Sequence, residues 1–156
     1  MSKLVACSGG YDPLHEGHLR QLQYARRLGE ALIVFLNSDA WLRRKKGYCM
    51  FPWEQRQAIL LGLRWVDAVV PVNDRDGSVA SALALWKPAI FAKGGDRRCA
   101  QDLPKPEQVV CQSIGCQVVY GVAPQLDSSQ DAVDRACHAQ RRRGSSQPAG
   151  PRLHRG

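Results

Sequence analysis

Two histidines at positions 15 and 18 lie where an apolar run meets a helical pattern, and their spacing could serve phosphate chemistry. The apolar run 4–7 predicts a buried strand, and apolar residues at positions 22, 25 and 28 predict a helix after it. At such a junction, His15 and His18 can each donate a hydrogen bond to oxygens of one phosphoryl group as charge builds on it. The pattern therefore indicates phosphoryl or nucleotidyl transfer.

Glycines in the same junction suit the close approach of a phosphate. Gly9 and Gly10 carry no side chains, so a phosphate can come near their backbone. Gly17 stands at the start of the predicted helix, where free N–H groups and the helix dipole favour negative charge. The predicted nucleotide-binding residues of this junction are Ser8, Gly9, Gly10, Tyr11, Asp12 and Gly17.

The segment His15-Glu16-Gly17-His18 resembles the H-x-G-H signature of the nucleotidyltransferase superfamily. It is similar in style to glycerol-3-phosphate cytidylyltransferases and heptose-phosphate adenylyltransferases, and the resemblance runs in order over residues 3–139. It implies that Mg²⁺ bridges the phosphates of a bound CTP or ATP. A phosphorylated small molecule would then attack the α-phosphorus and release pyrophosphate, with His15 and His18 as catalytic residues. Whether CTP or ATP is used, and which acceptor, stays open.

Three basic residues extend the resemblance along the chain. Lys46, before a glycine, resembles the Lys-Gly position of these enzymes, where a lysine on a mobile loop can follow the triphosphate as a catalytic point charge. The segment 52–56 resembles a P-x-E-x-R helix start and predicts that Arg56 faces phosphates or holds the lysine loop. Arg64, in the setting Arg-aromatic-Val-Asp, resembles an arginine of the glycerol-phosphate enzymes and is the predicted contact for the phosphorylated substrate.

Two later segments complete the predicted nucleotide site. The first resembles the K-G-G-D block of heptose-phosphate adenylyltransferases, and its residues are Lys93, Gly94, Gly95 and Asp96. The second, Ser128-Ser129, resembles the helix start that holds triphosphate oxygens in this superfamily. Here the chain departs from the pattern, because acids at positions 127 and 131 flank the serines and position 125 is not basic. This departure motivates an alternative, a nucleotide-binding protein with little or no turnover.

Apolar runs and helical patterns alternate along the chain and predict one α/β Rossmann-like domain. Its five-stranded parallel sheet would carry helices on both faces and occupy residues 1–140. The predicted strands cover 4–7, 31–36, 66–72, 89–92 and 117–122. The predicted helices cover 19–28, 53–63, 79–86, 107–114 and 129–139, with a short helix from Asp39 to 42 and a basic loop from there to 52.

The formal net charge of +8 is concentrated at one end of the chain. Five of the 22 basic residues follow position 140, which leaves 17 basic against 14 acidic residues before it. That surplus fits a triphosphate and a phosphorylated substrate and argues against nucleic acid as the partner. Residues 141–156 are rich in Gly, Pro, Ser and Arg and are predicted to be a disordered basic tail. RNA binding by the arginines at 141–143 is a rival hypothesis.

Cysteine usage and hydropathy predict a cytoplasmic protein. Six scattered cysteines form no C-x-x-C pair, so buried thiols are expected rather than disulfides or a metal site. No segment has the apolar length of a membrane span, and the chain begins with a strand rather than a signal peptide. Class I aminoacyl-tRNA synthetases share the H-x-G-H turn, but 156 residues leave no room for a tRNA-binding domain. A homodimer is left open.

Overall fold

A computed structural model describes residues 2–94, 97–123, 135 and 138–139 of the chain. Five parallel strands form one sheet in the order β3-β2-β1-β4-β5. The strands are β1 (Leu4–Gly9), β2 (Ala31–Leu36), β3 (Ala68–Pro71), β4 (Ile90–Ala92) and β5 (Gln117–Val119). The helices are α1 (Glu16–Arg26), α2 (Asp39–Lys46), α3 (Trp53–Leu61), α4 (Ala80–Trp86) and α5 (Lys105–Ile114), with a short 3-10 helix at Ala100–Asp102.

Two apolar layers enclose the sheet because successive strand residues point to opposite faces. On one face, Val5 and Cys7 of β1 pack with Leu22 of α1 and Leu60 of α3. On the other face, residues from β1, β2 and β4 pack with α4 and α5 and form the second layer, which includes Ala6, Ile33, Phe91, Leu83 and Cys111. The predicted α/β class, with helices on both faces of a parallel sheet, is confirmed.

The region after β2 differs from the prediction. Ser38, rather than Asp39, caps α2, because its Oγ accepts a hydrogen bond from the Trp41 backbone N–H at 3.0 Å. The basic run 43–46 is the last turn of α2 and not a loop. Gly47 ends the helix in the left-handed conformation, with φ of 83°, and basic side chains in a last turn are favoured by the helix dipole.

Several predictions concern residues outside the described part of the chain. These are Gly95, Asp96, Ser128, Ser129, the flanking acids at 127 and 131, and the tail 141–156. Of the predicted last helix, the described positions 135, 138 and 139 are helical. Within the described residues, none of the helices has the length and apolar character that a membrane crossing requires.

Candidate active site

The strand order reverses between β1 and β4. From β1 the chain proceeds outward through β2 to β3, whereas β4 pairs with the other side of β1 and is followed by β5. In open parallel sheets, ligands bind beyond the carboxyl ends of the strands at such a switch point. The histidine junction follows β1 and Lys93 follows β4, so the sheet places both at this point.

His15 and His18 cap α1 reciprocally. His15 is the N-cap residue, and its Nδ1 accepts a hydrogen bond from the backbone N–H of Gly17 at 3.1 Å. The Nδ1 of His18 accepts from the backbone N–H of His15 at 3.3 Å. The two rings stack with centroids 3.8 Å apart and planes inclined by 26°. Two backbone donors at the start of α1 are therefore used to orient the two imidazoles.

This capping decides which nitrogen of each neutral imidazole carries the proton. A nitrogen that accepts a hydrogen bond has no hydrogen of its own, so in both neutral rings the proton resides on Nε2. Both side chains then have an Nε2–H group with which to donate to a phosphoryl oxygen. The Gly17 N–H, expected from the sequence to favour a bound anion, instead fixes His15.

His18 is kept neutral by its surroundings. Its pKa is lowered from 6.5 to about 3, chiefly by burial and in smaller part by the neighbouring His15 and Lys46. At neutral pH the side chain is therefore a hydrogen-bond donor without a net charge. Such a donor stabilises charge that develops on a phosphate without first forming a salt bridge with the substrate.

We expect the burial of His18 to weaken the fold in mild acid. The unfolded imidazole takes up a proton near pH 6.5 and the folded one only near pH 3, so the unfolded chain binds the proton first. The contribution of His18 is fully present above pH 6.5 and is lost as the pH falls toward 3, by at most about 1.4 kcal/mol per pH unit.

Urea unfolding of the wild type and H18Q between about pH 7.5 and 5 measures this effect. The free energy of unfolding of the wild type should fall more steeply with decreasing pH than that of H18Q. Parallel curves for the two proteins would show that His18 is protonated equally easily in the folded and unfolded states.

Lys46 reaches the junction from the last turn of α2. Its Nζ donates to the backbone oxygen of Asp12 at 3.2 Å, and its positive charge contributes to the lowered pKa of His18. Burial lowers the pKa of Lys46, and Lys45 adds to the lowering while Asp12 opposes it. The side chain expected on a mobile loop is therefore held by a helix beside the histidines.

The carboxylate of Asp12 organises the segment that follows α2. Its two oxygens accept the backbone N–H groups of Met50 at 2.6 Å and Phe51 at 2.9 Å, and the residue is fully buried. These two hydrogen bonds tie the junction after β1 to the segment after α2. A contact of Asp12 with a nucleotide or a metal stays a prediction. Among the described residues, no group of three or more His, Cys, Asp or Glu side chains could hold a metal ion.

Arg56 lies in the interior and binds protein groups with most of its guanidinium. Its Nε donates to the Phe51 carbonyl, and its Nη1 donates to the carbonyls of Gly10 and Asn37, all within 2.8–2.9 Å. Its Nη2 forms an ion pair with Asp39 at 2.6 Å. With 1% of its surface exposed, Arg56 ties three segments of the site together, and a direct phosphate contact stays a prediction.

Packing accounts for two of the junction glycines. A Cβ on Gly10 would lie 2.6 Å from Cδ2 of Leu42, a buried residue of α2. A Cβ on Gly9 would lie 3.1 Å from Cε2 of Tyr11. Gly10 therefore allows α2 to approach the strand end, whatever else its backbone binds.

Lys93 connects the ends of β4 and β1. Its Nζ donates to the Ser8 Oγ at 3.1 Å and lies 4.6 Å from the centroid of the Phe91 ring. Gly94 follows at the same edge of the sheet and is partly buried. The structure thus brings together Ser8, Gly9, Gly10, Asp12, Gly17, Lys93 and Gly94 with the two histidines, Lys46 and Arg56.

Arg64 is not part of this group. It lies between the end of α3 and the start of β3, at the amino end of the parallel sheet, opposite the edge that carries the histidines. Its guanidinium carbon lies 5.2 Å from the ring centroid of Trp65, and the side chain is exposed. Within one chain, the predicted substrate contact is therefore separated from the other candidate residues by the length of the strands.

Asp74 is a buried residue of the site region that the sequence analysis missed. Its carboxylate accepts from the Ser38 backbone N–H at 2.8 Å, the Ser38 Oγ at 2.7 Å and the Asn37 side-chain amide at 3.1 Å. Asp74 thereby fixes the start of the helix that ends with Lys46. The sequence did contain a signal for this contact. Asp74 follows the carboxyl end of β3, and Asn37 and Ser38 follow the carboxyl end of β2, so the parallel sheet brings them close together.

The profile of the cytidylyltransferase-like family matches residues 6–129, which include the histidine junction and the segment after β4. The chain belongs to this family. Among curated relatives, the bifunctional protein HldE of Streptomyces coelicolor is 41% identical over 142 residues, covering 88% of this chain and 29% of the relative. The HldE of Hahella chejuensis is 42% identical over 96 residues, covering 60% and 20%. The cytidylyltransferase-like chain thus spans less than a third of these relatives.

Solved structures of similar architecture support the same fold. The lipopolysaccharide core biosynthesis protein from Thermoplasma volcanium superposes with a TM-score of 0.65 and 24% identity, covering 78% of this chain and 95% of that one. Thermotoga maritima TmcAL has a TM-score of 0.63 and 13% identity, covering 89% and 51%. At these identities the likeness concerns the cytidylyltransferase-like fold alone.

Proposed function

We propose that this chain is a nucleotidyltransferase that moves an AMP or CMP group from ATP or CTP onto a phosphorylated small molecule. The observation that carries the proposal is the pair of histidines at the switch point, whose Nδ1 atoms accept backbone N–H groups while Lys46 lies beside them. This arrangement supplies two oriented N–H donors and one cation at the place where parallel α/β sheets bind ligands.

The proposed reaction is an in-line displacement at the α-phosphorus. A phosphate oxygen of the acceptor forms the new bond, the bond to the oxygen that bridges the α- and β-phosphorus breaks, and pyrophosphate leaves with that oxygen. Charge spreads over the α-phosphate oxygens and the leaving group, so catalysis consists of positioning and charge stabilisation. His15 and His18 donate from Nε2 to these oxygens, and Lys46 holds the β- and γ-phosphates.

Mg²⁺ is proposed to accompany the triphosphate. Both oxygens of Asp12 already accept backbone N–H groups, and Asp96, the other carboxylate predicted for the nucleotide site, lies outside the described residues. The ion would therefore be held chiefly through triphosphate oxygens, where it neutralises charge on the leaving group. His15, His18 and Lys46 perform their roles at the protein side of that complex.

ATP and a sugar phosphate are the proposed substrates to test first. HldE relatives share 41% and 42% identity with this chain, and residues 93–96 resemble the K-G-G-D block of heptose-phosphate adenylyltransferases. A heptose phosphate is thus the first acceptor of choice. CTP with a polyol phosphate, such as glycerol 3-phosphate, is the competing pair, because the histidine junction resembles both kinds of enzyme.

A pyrophosphate-release assay tests the proposal directly. The full chain is incubated with Mg²⁺ and either ATP or CTP, against heptose, other sugar, glycerol and choline phosphates. We expect pyrophosphate release that requires both a triphosphate and one class of acceptor, with the nucleotidylated acceptor detected by mass spectrometry. Calorimetric binding of ATP or CTP without pyrophosphate from any acceptor would instead support the nucleotide-binding alternative. If neither triphosphate binds, both proposals are wrong.

Lys46 and Lys45 offer a matched pair of substitutions. We expect K46A to lower kcat/KM by roughly tenfold to a hundredfold, because the cation beside the histidines is removed from the transition state. Lys45 lies 4.6 Å from the Trp41 ring centroid on the exposed side of α2, so K45A should stay within about threefold of the wild type. Equal losses in both variants would indicate a general effect of positive charge rather than a role for Lys46.

A further inference from the structure

The side chain of Tyr11 lies beneath the catalytic junction and not at its surface. It is 5% exposed and belongs to the apolar layer that includes Cys7 and Leu22. Its hydroxyl is buried and has no hydrogen-bond partner in the described structure. A side chain so placed presents neither its ring face nor its hydroxyl at the surface, where a nucleotide could contact it.

The Tyr11 ring instead contacts His18. The two ring centroids are 4.9 Å apart and the planes are inclined by 62°, an edge-to-face arrangement. His18 in turn stacks on His15 at 3.8 Å. The imidazole of His18 is therefore held from two directions by aromatic rings and at Nδ1 by the His15 backbone N–H.

Backbone geometry places the Tyr11 ring in this position. Tyr11 has a φ of 49°, in the left-handed region that residues with a Cβ seldom adopt. The ring also fits against Gly9, where an added Cβ would lie 3.1 Å from Cε2. Gly9 and His18 thus both limit where the ring can lie, and the unusual backbone conformation of Tyr11 accompanies this placement.

We propose that Tyr11 is a positioning residue, whose ring holds the His18 imidazole in the orientation in which Nδ1 accepts the His15 N–H and Nε2–H faces the reacting phosphate. The catalytic part of this inference rests on the proposed function, whereas the orientation of His18 does not. This replaces the prediction from sequence that Tyr11 binds the nucleotide. The aromatic ring of Tyr11, and not its hydroxyl, positions His18, because the buried hydroxyl forms no hydrogen bond.

NMR of the histidine side chains in the full chain tests the orientation without any substrate. The ¹⁵N shifts of the imidazole report which nitrogen is protonated, and the H18Q spectrum assigns the His18 signals. The wild type and Y11F should both show neutral His18 with the proton on Nε2 at pH 7. In Y11L, which keeps the Cβ and removes the flat ring, we expect a mixture of tautomers and a His18 pKa at least about one unit higher, since water can enter beside the ring.

A second variant covers the case in which Y11L does not fold. G9A retains the tyrosine but places a Cβ against it, so the ring should move and the His18 signals should shift with it. The Tyr11 ring resonances show whether that displacement has occurred. Unchanged His18 tautomer and pKa in folded Y11L, or in G9A with a displaced Tyr11 ring, would overturn the proposal.

Kinetics separate positioning from a general structural effect. With the substrate pair found by the pyrophosphate assay, Y11L should lower kcat by roughly tenfold or more and leave the KM for the triphosphate within about threefold. Y11F should recover most of the lost kcat. A change confined to KM would favour a nucleotide contact and contradict the proposal. If no pair yields pyrophosphate, the proposed function fails while the NMR result still decides the role of Tyr11.

Discussion

Replacing His18 with alanine is expected to lower kcat by a hundredfold or more, which corresponds to about 2.7 kcal/mol of transition-state stabilisation. The affinity for the triphosphate should change little, because the Nε2–H donor acts mainly on charge that develops during the reaction. Pyrophosphate release gives kcat, and calorimetry in the absence of acceptor gives the dissociation constant of ATP or CTP.

H138A is the matched control, since His138 is exposed and lies far along the chain from the histidine junction. It should keep the wild-type kcat. A normal kcat in H18A would remove His18 from the mechanism. A loss of triphosphate affinity that matched the loss of kcat/KM would instead make His18 a ground-state ligand.

Of the substitutions considered, the replacement of Arg56 with methionine should lower the free energy of unfolding most. The substitution keeps most of the apolar volume but leaves three carbonyl groups and the Asp39 carboxylate without their donor. Removing one partner of such a buried network costs on the order of 3–5 kcal/mol. Urea unfolding followed by circular dichroism should show a correspondingly lower midpoint for R56M.

R64M is the control for this stability measurement. Arg64 is exposed and contacts only the neighbouring Trp65 ring among the interactions described above, so its replacement should cost less than about 1 kcal/mol. Comparable losses in R56M and R64M would show that the hydrogen bonds of Arg56 contribute little. A stable R56M with poor triphosphate binding would favour the original prediction that Arg56 faces phosphates.

Long apolar runs predicted the sheet well because burial leaves little choice of residue. The prediction for β2 agrees with the structure at both ends, since a continuous apolar run stops at Asn37. The prediction for α2 was wrong beyond its first turn. A run of four basic residues is typical of an exposed loop, whereas in the structure the helix continues through them to Lys46 and ends at Gly47 in the left-handed conformation.

The sequence indicated which residues belong to the candidate site but not which groups they contact. Sequence spacing indicated the histidine pair, yet the capping by His15 depends on its extended backbone, with φ of −140° and ψ of 175°, which spacing does not determine. The partners of Arg56 lie 5 to 46 positions away along the chain, so no local pattern could reveal that the guanidinium faces inward. Arg64 precedes the third strand in the prediction and in the structure alike. Its role as a substrate contact stays a prediction.

The strand order has a consequence for the nascent chain. β1 emerges from the ribosome before the other four strands and can pair with β2 as soon as residue 36 is free. The opposite edge of β1 stays unpaired until β4 has been synthesised, because Val5 pairs there with Ile90. The central strand, with the histidine junction attached, therefore exposes an unpaired apolar edge while some fifty further residues are synthesised. Because an unpaired strand edge can pair with other chains, the chain is open to aggregation during this interval of synthesis.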